Sequence, residues 1–138
     1  MNLVIAAATW WALPAAFAYF ALGALWFTPL FGRAWDRSIS HDRSQDNGRF
    51  PTSYYVTPFI TAVVTTIVMS LLIQNSSATG AFGAGAVVGA GIGLAIAAAS
   101  FTNALTPHTP RPFTFATITG GYHLVACIIT GTILGALS

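Results

Sequence analysis

The sequence predicts an all-α, polytopic membrane protein: a bundle of four transmembrane helices with glycine-rich packing and both termini outside. Three observations lead there. The chain has 138 residues, of which 55% are hydrophobic and 6% charged, whereas soluble domains carry roughly 25% charged residues. So few charges cannot cover a water-facing surface, and most of the surface must meet lipid. The charges are also segregated: apart from Arg111, every arginine and aspartate lies between Arg33 and Arg49. The uncharged stretches left over, residues 1–32, 50–110 and 112–138, have the lengths that spans require, ~20 apolar residues each. The middle stretch holds two, divided at residues 74–80 by the polar, glycine-ended run Gln-Asn-Ser-Ser-Ala-Thr-Gly, a turn signal.

The spans are expected at about 3–30, 53–73, 81–105 and 113–137, with a loop over 32–52, in one domain covering 1–138. The first span has no basic residue before Arg33 and exceeds the ~7–15-residue apolar core of a signal peptide, so it reads as a retained helix. Trp10-Trp11 and Trp26-Phe27 bracket it, ~24 Å apart on a helix, as interfacial aromatic belts would be. Pro14 is a possible kink, tolerable where neighbouring helices meet the freed carbonyl.

The loop carries Arg33, Asp36, Arg37, Asp42, Arg43, Asp46 and Arg49. It reads as a solvated linker with weak ion pairs, its start continuing the first helix as a short interfacial turn. The alternative is a docking surface for a partner or for anionic headgroups. With four spans, this loop and the one holding Arg111 share a side, and the other side has no Lys or Arg; positive residues in short loops stay cytoplasmic.

The third span repeats small residues every four positions, at Ala81, Gly85, Gly89, Gly93 and Ala97, and the fourth does so at Cys127, Gly131 and Gly135. Such stripes let backbones approach closely in lipid. They serve either packing of these helices within one chain or a homo-oligomer. The oligomer is the expectation, because four thin helices bury little and glycines are costly without tight contact.

Catalytic signatures are missing: no HExxH, CxxC, GxSxG, P-loop or dinucleotide fingerprint occurs, so an enzyme is not expected. Nor are a metal, a cofactor or nucleic-acid binding, since the few arginines form no basic stripe. No Asp, Glu, Lys or Arg lies inside a span, against a carboxylate proton pump or cation carrier. The single cysteine, Cys127, forms no internal disulfide. The polar intramembrane residues that stand out are His123, near mid-depth in the fourth span, with Tyr122 beside it and Cys127 on the same face. An interhelical hydrogen bond explains His123 structurally; a proton relay or ligand contact is the functional reading. Asn103 reads as a helix C-cap, and Arg111 with His108 as interfacial anchors. Thr61, Thr65, Thr66, Thr117, Thr119 and Thr130 are expected to bond back to their own helices.

Two stretches resemble a known family. Gly23-Ala24-Leu25-Trp26-Phe27-Thr28-Pro29-Leu30-Phe31-Gly32-Arg33-Ala34-Trp35 is similar to the first-helix signature of a bacterial family of small four-helix membrane proteins of unknown function. Gly121-Tyr122-His123-Leu124-Val125 with Gly131-Thr132-Ile133-Leu134-Gly135 resembles that family's last helix. Gly120, where Asn is expected, and Leu137, near which Trp is expected, depart from the pattern. The resemblance implies four helices in a bacterial inner membrane and brings no activity.

Physically, Pro29 frees a carbonyl, Gly32 ends the helix and Arg33 and Trp35 settle at the interface. The alternative is a pocket of Trp26, Phe31, Trp35 and Tyr54 in which Arg33 pairs an amphipathic anion. The expectation is a small oligomeric inner-membrane protein binding or passing an amphipathic or anionic small molecule at Arg33, Trp35, Asn103, Arg111, Tyr122 and His123. Its partners would be the bilayer, its own copies, and a ligand or membrane protein. The runner-up is an accessory subunit docked through the loop.

Overall fold

The structure, a computed structural model, describes residues 2–44, 50–75 and 81–137, with side chains from Trp10 and, after the second gap, from Phe82. Asp46, Arg49 and most of the turn expected at 74–80 lie outside the described residues. The described residues form α1 (Asn2–Leu25), a π-helical turn (Trp26–Leu30), α2 (Gly32–Ser38), α3 (Thr52–Gln74), α4 (Ala81–Ala104) and α5 (Pro112–Leu137). Among them, four helices are long and apolar enough to cross a membrane: Trp10–Leu30, Thr52–Gln74, Phe82–Ala104 and Pro112–Leu137. The predicted spans are therefore present, and the protein is a multi-pass membrane protein. Outward faces are apolar, as at Phe17, Ile60, Val87 and Leu94; a lipid-facing helix needs no polar side.

α5 is the central helix and packs against α1, α2, α3 and α4. Its partner along the whole length is α4, and glycine is the reason. A Cβ on Gly85 would land on the Gly131 carbonyl oxygen, and one on Gly89 on the Cys127 carbonyl oxygen. A Cβ on Gly93 would sit 2.8 Å from the Leu124 Cα. Gly135 joins the same seam, its Cα 3.0 Å from a Gly85 Cβ. The small-residue stripes thus face each other within one chain, with backbones in contact as in other small-residue interfaces in lipid. Gly83 and Gly91, on other faces, meet nothing within 4 Å.

The start of the 32–52 loop, expected to continue the first helix as a short turn, is a helix of its own, α2. Pro14 leaves α1 unbroken, but Pro29 lies in the five-residue π-helical turn. Proline has no N–H to donate, and the Phe31 N–H reaches back five residues to the Trp26 carbonyl at 2.8 Å. Such bulges sit where a helix must change direction. Gly32 opens α2 rather than ending α1, because the chain turns tightly there: a Cβ on Gly32 would stand 2.6 Å from the Phe27 carbonyl oxygen.

α2 closes with Ser40 in the left-handed region (φ 55°) and the His41 N–H on the Asp36 carbonyl at 2.9 Å, the pattern of a Schellman stop. The Arg111 N–H then donates to the Ser38 carbonyl at 3.2 Å, tying α2 to the start of α5. Pro112 occupies the first helical position of α5, where its missing N–H costs nothing.

Candidate functional site

Three spans and the loop enclose a cavity of about 500 Å³ at the arginine-bearing end of the bundle, a size typical of small-molecule sites (~300–1,000 Å³). Each helix contributes one face. α1 and the π-helical turn supply Tyr19, Phe20, Gly23, Ala24 and Phe27, and α3 supplies Tyr54, Tyr55, Thr57, Pro58 and Thr61. α5 supplies Phe115, Thr119, Tyr122 and His123, spaced at three and four residues so that they line one side of the helix. Trp35, Arg43 and Phe50 close the arginine-bearing end.

The aromatic walls hold one another at defined angles. Trp35 is buried and meets Phe27 edge to face with centroids 5.6 Å apart, with Tyr54 at 6.0 Å and Phe115 at 6.4 Å. Phe50 stacks on Tyr54 at 4.2 Å. Tyr19 meets Tyr122 edge to face at 5.5 Å. Such pairs add ~0.5–1.5 kcal/mol beyond burial, so the cavity wall is a preformed surface.

The deep end is a polar cluster in an apolar setting. The Tyr19 hydroxyl lies 2.7 Å from His123 Nδ1 and 3.6 Å from Cys127 Sγ, and the Tyr122 hydroxyl donates to the Tyr19 carbonyl at 3.0 Å. Gly23 makes room for this: its Cβ would come within 2.9 Å of the Tyr122 hydroxyl. His123 thus has the interhelical hydrogen bond that its depth demands, and the partner is on α1. Its other ring nitrogen has no protein partner among the described residues. The Thr119 hydroxyl is buried and also has none, although Thr61, Thr66 and Thr130 bond back to their own helices as expected, and Thr132 does so too.

At the other end, Arg43 Nε pairs with the buried Asp36. Its Nη2 donates to the Phe27 carbonyl at 3.1 Å, an acceptor within the π-helical turn. The guanidinium also stands 5.7 Å from the centre of the Phe50 ring, within reach of a cation–π contact. The expected solvated linker is therefore, at this point, a half-buried ion pair that shapes the mouth of the cavity.

Of the six residues singled out in the sequence, Trp35, Tyr122 and His123 line the cavity, whereas Arg33, Asn103 and Arg111 do not and are exposed. Arg111 contributes through its backbone. The arginine that reaches the pocket is Arg43 rather than Arg33, its chain returning there after the Ser40 stop, and its charge is met by Asp36. Trp26 faces inward rather than toward a lipid belt, donating to the Ile118 carbonyl at 3.0 Å and packing on Phe31 with centroids 4.7 Å apart. Trp35, expected at the interface, is buried. Sequence reasoning missed Tyr19, Arg43 and Thr119. The only signal for Tyr19 was a lone phenol amid alanines, and nothing marked Thr119 off from the other threonines.

These features define a multi-pass membrane protein with an aromatic-walled pocket between three of its spans. Residues 10–135 match the family described as protein of unknown function DUF1761, and the chain belongs to that family. No curated protein and no solved structure matches it.

Proposed function

We propose that the protein binds or passes a small amphipathic molecule in the cavity between α1, α3 and α5. The observation that carries this is the cavity itself: about 500 Å³, walled by aromatic rings, with hydrogen-bonding groups at its deep end and an ion pair at its mouth. That division of apolar wall and a few placed polar groups is what small-molecule sites use. The same reading puts the chain in a bacterial inner membrane, with the arginine-bearing end cytoplasmic and both termini outside, on the asymmetry of the arginines. The reading is a binder or carrier, in keeping with a sequence that carries no HExxH, CxxC, GxSxG, P-loop or dinucleotide fingerprint.

Self-association belongs to this reading as well. With the inner stripe of α4 spent on α5, it uses the outer face, where Gly83 and Gly91 meet nothing and Val87 is exposed. The accessory-subunit reading draws on Arg33 and Arg37, both exposed on α2.

Native mass spectrometry of the protein released gently from its own membranes tests all of this. A discrete species with a reproducible extra mass, lost when Ala24→Trp fills the cavity, is the expected result. A bare species, or one that travels with another protein and separates when Arg33 and Arg37 are reversed in charge, would replace binding with docking.

A further inference from the structure

The two ends of the cavity differ in what they can still bind. At the mouth, the charge of Arg43 is already met by Asp36, and one of its terminal nitrogens by the Phe27 carbonyl; the atom left over there is an acceptor, the buried Asp36 Oδ1. An anion there would have to displace a carboxylate held by the fold, so the mouth offers no spare positive charge. At the deep end, two polar groups one turn apart on α5 have no hydrogen-bond partner among the described residues: the buried Thr119 hydroxyl and the second ring nitrogen of His123. Leaving a buried polar group unpaired is unfavourable, and in a membrane helix the ordinary remedy for threonine is its own helix, which Thr119 does not use.

The proton on His123 follows from the network. The Tyr19 hydroxyl has two neighbours, His123 Nδ1 at 2.7 Å and Cys127 Sγ at 3.6 Å. Imidazole nitrogen is a good acceptor and thiol sulfur a weak one, so Tyr19 donates to Nδ1 and accepts from the Cys127 thiol. A neutral ring with Nδ1 accepting carries its proton on Nε2. Both unpaired groups are then donors.

We infer, resting on the pocket proposed above, that its ligand is an uncharged, apolar molecule bearing a hydrogen-bond-accepting oxygen, which the Nε2–H of His123 and the hydroxyl of Thr119 hold at the deep end. A carbonyl on an aromatic or quinonoid ring satisfies both donors and suits the aromatic walls.

The test uses the full chain in lipid nanodiscs, with empty nanodiscs as blank, and two probes of equal tail length: a decyl-substituted 1,4-benzoquinone and decyl phosphate. Isothermal titration should show saturable binding of the benzoquinone. Thr119→Val, which removes a hydroxyl that bonds nothing among the described residues, should weaken it about five- to tenfold, the worth of one hydrogen bond. His123→Phe should do at least as much, and Arg37→Gln, exposed on α2 and outside the cavity, should leave it within about twofold. No benzoquinone binding, benzoquinone binding untouched by Thr119→Val, or tighter binding of decyl phosphate that Arg43→Gln abolishes would each overturn the inference. Ala24→Trp separates the two levels. If it abolishes binding of whichever probe binds while Thr119→Val has no effect, the pocket stands and the neutral-ligand inference falls. If Ala24→Trp leaves both probes as they were, the pocket reading falls with it.

Discussion

Arg43 and Arg37 carry the same charge six residues apart, yet their surroundings give them different weights. Arg43 is half-buried against Asp36; Arg37 is exposed, its Nε on the Arg33 carbonyl at 3.2 Å. Arg43→Met leaves a buried carboxylate without its partner. Full burial would make that loss ~3–5 kcal/mol; with Arg43 about one-third exposed, about 1–3 kcal/mol is expected. Arg37→Met should stay within ~0.5 kcal/mol. Reversible denaturation in micelles measures both, and equal losses would remove Arg43 from the structural role given to it.

Asp42 sets a smaller expectation in the same loop. The Ser44 hydroxyl at 2.7 Å and N–H at 2.9 Å hold its carboxyl below the usual aspartate range. A lowered carboxyl stabilises the folded turn above its unfolded-state pKa and loses that contribution as pH falls through the lowered value. Hydrogen exchange at the Ser44 amide, corrected for its intrinsic pH dependence, should therefore lose protection only in that acidic window. Asp42→Asn should flatten the profile.

At the scale of elements, the α4–α5 seam and the π-helical turn are the parts with least freedom. Gly89→Leu would drive a side chain into the Cys127 carbonyl. Overpacking of that kind costs at least the ~3 kcal/mol upper end of core substitutions. Gly91→Leu, on a face with nothing within 4 Å, should cost less than ~1 kcal/mol, and a gain in helix propensity offsets part of it. Thermal unfolding of the two variants side by side decides whether the stripe is used within the chain; equal losses would move the glycine contact to an interface between copies. The spacing at Gly85, Gly89 and Gly93 was legible in the sequence, but which helix it faced was not, because a small-residue stripe fits any backbone that can approach it. The π-helical turn was legible only as Pro29. Its consequence, a Phe27 carbonyl turned to Arg43, depends on where the chain goes sixteen residues later.

For the whole molecule, the arginine-bearing end and the opposite end differ in what reaches them. With Cys127 buried and replaced by serine, a cysteine placed at the exposed Ser44 should react with a membrane-impermeant maleimide only after cells are opened. Labelling of intact cells would invert the proposed orientation, and with it the side from which a ligand enters the mouth at Arg43. The cavity would keep its walls in either case, since they are set by packing of α1, α3 and α5.

By itself the sequence determined that this chain spans a membrane four times, where its charges gather and which helices carry glycine. Those are properties of composition and period, and they need only the bilayer as solvent to have consequences. Half of the candidate site was also within reach, at Trp35, Tyr122 and His123, because a histidine at mid-depth demands a partner wherever it is. The tertiary structure alone decided that the partner is Tyr19, that Arg43 and not Arg33 returns to the pocket, and that Thr119 differs from its neighbours. Each of these depends on distances between residues far apart in the chain, and no local pattern encodes which of several equivalent side chains ends on the inner face.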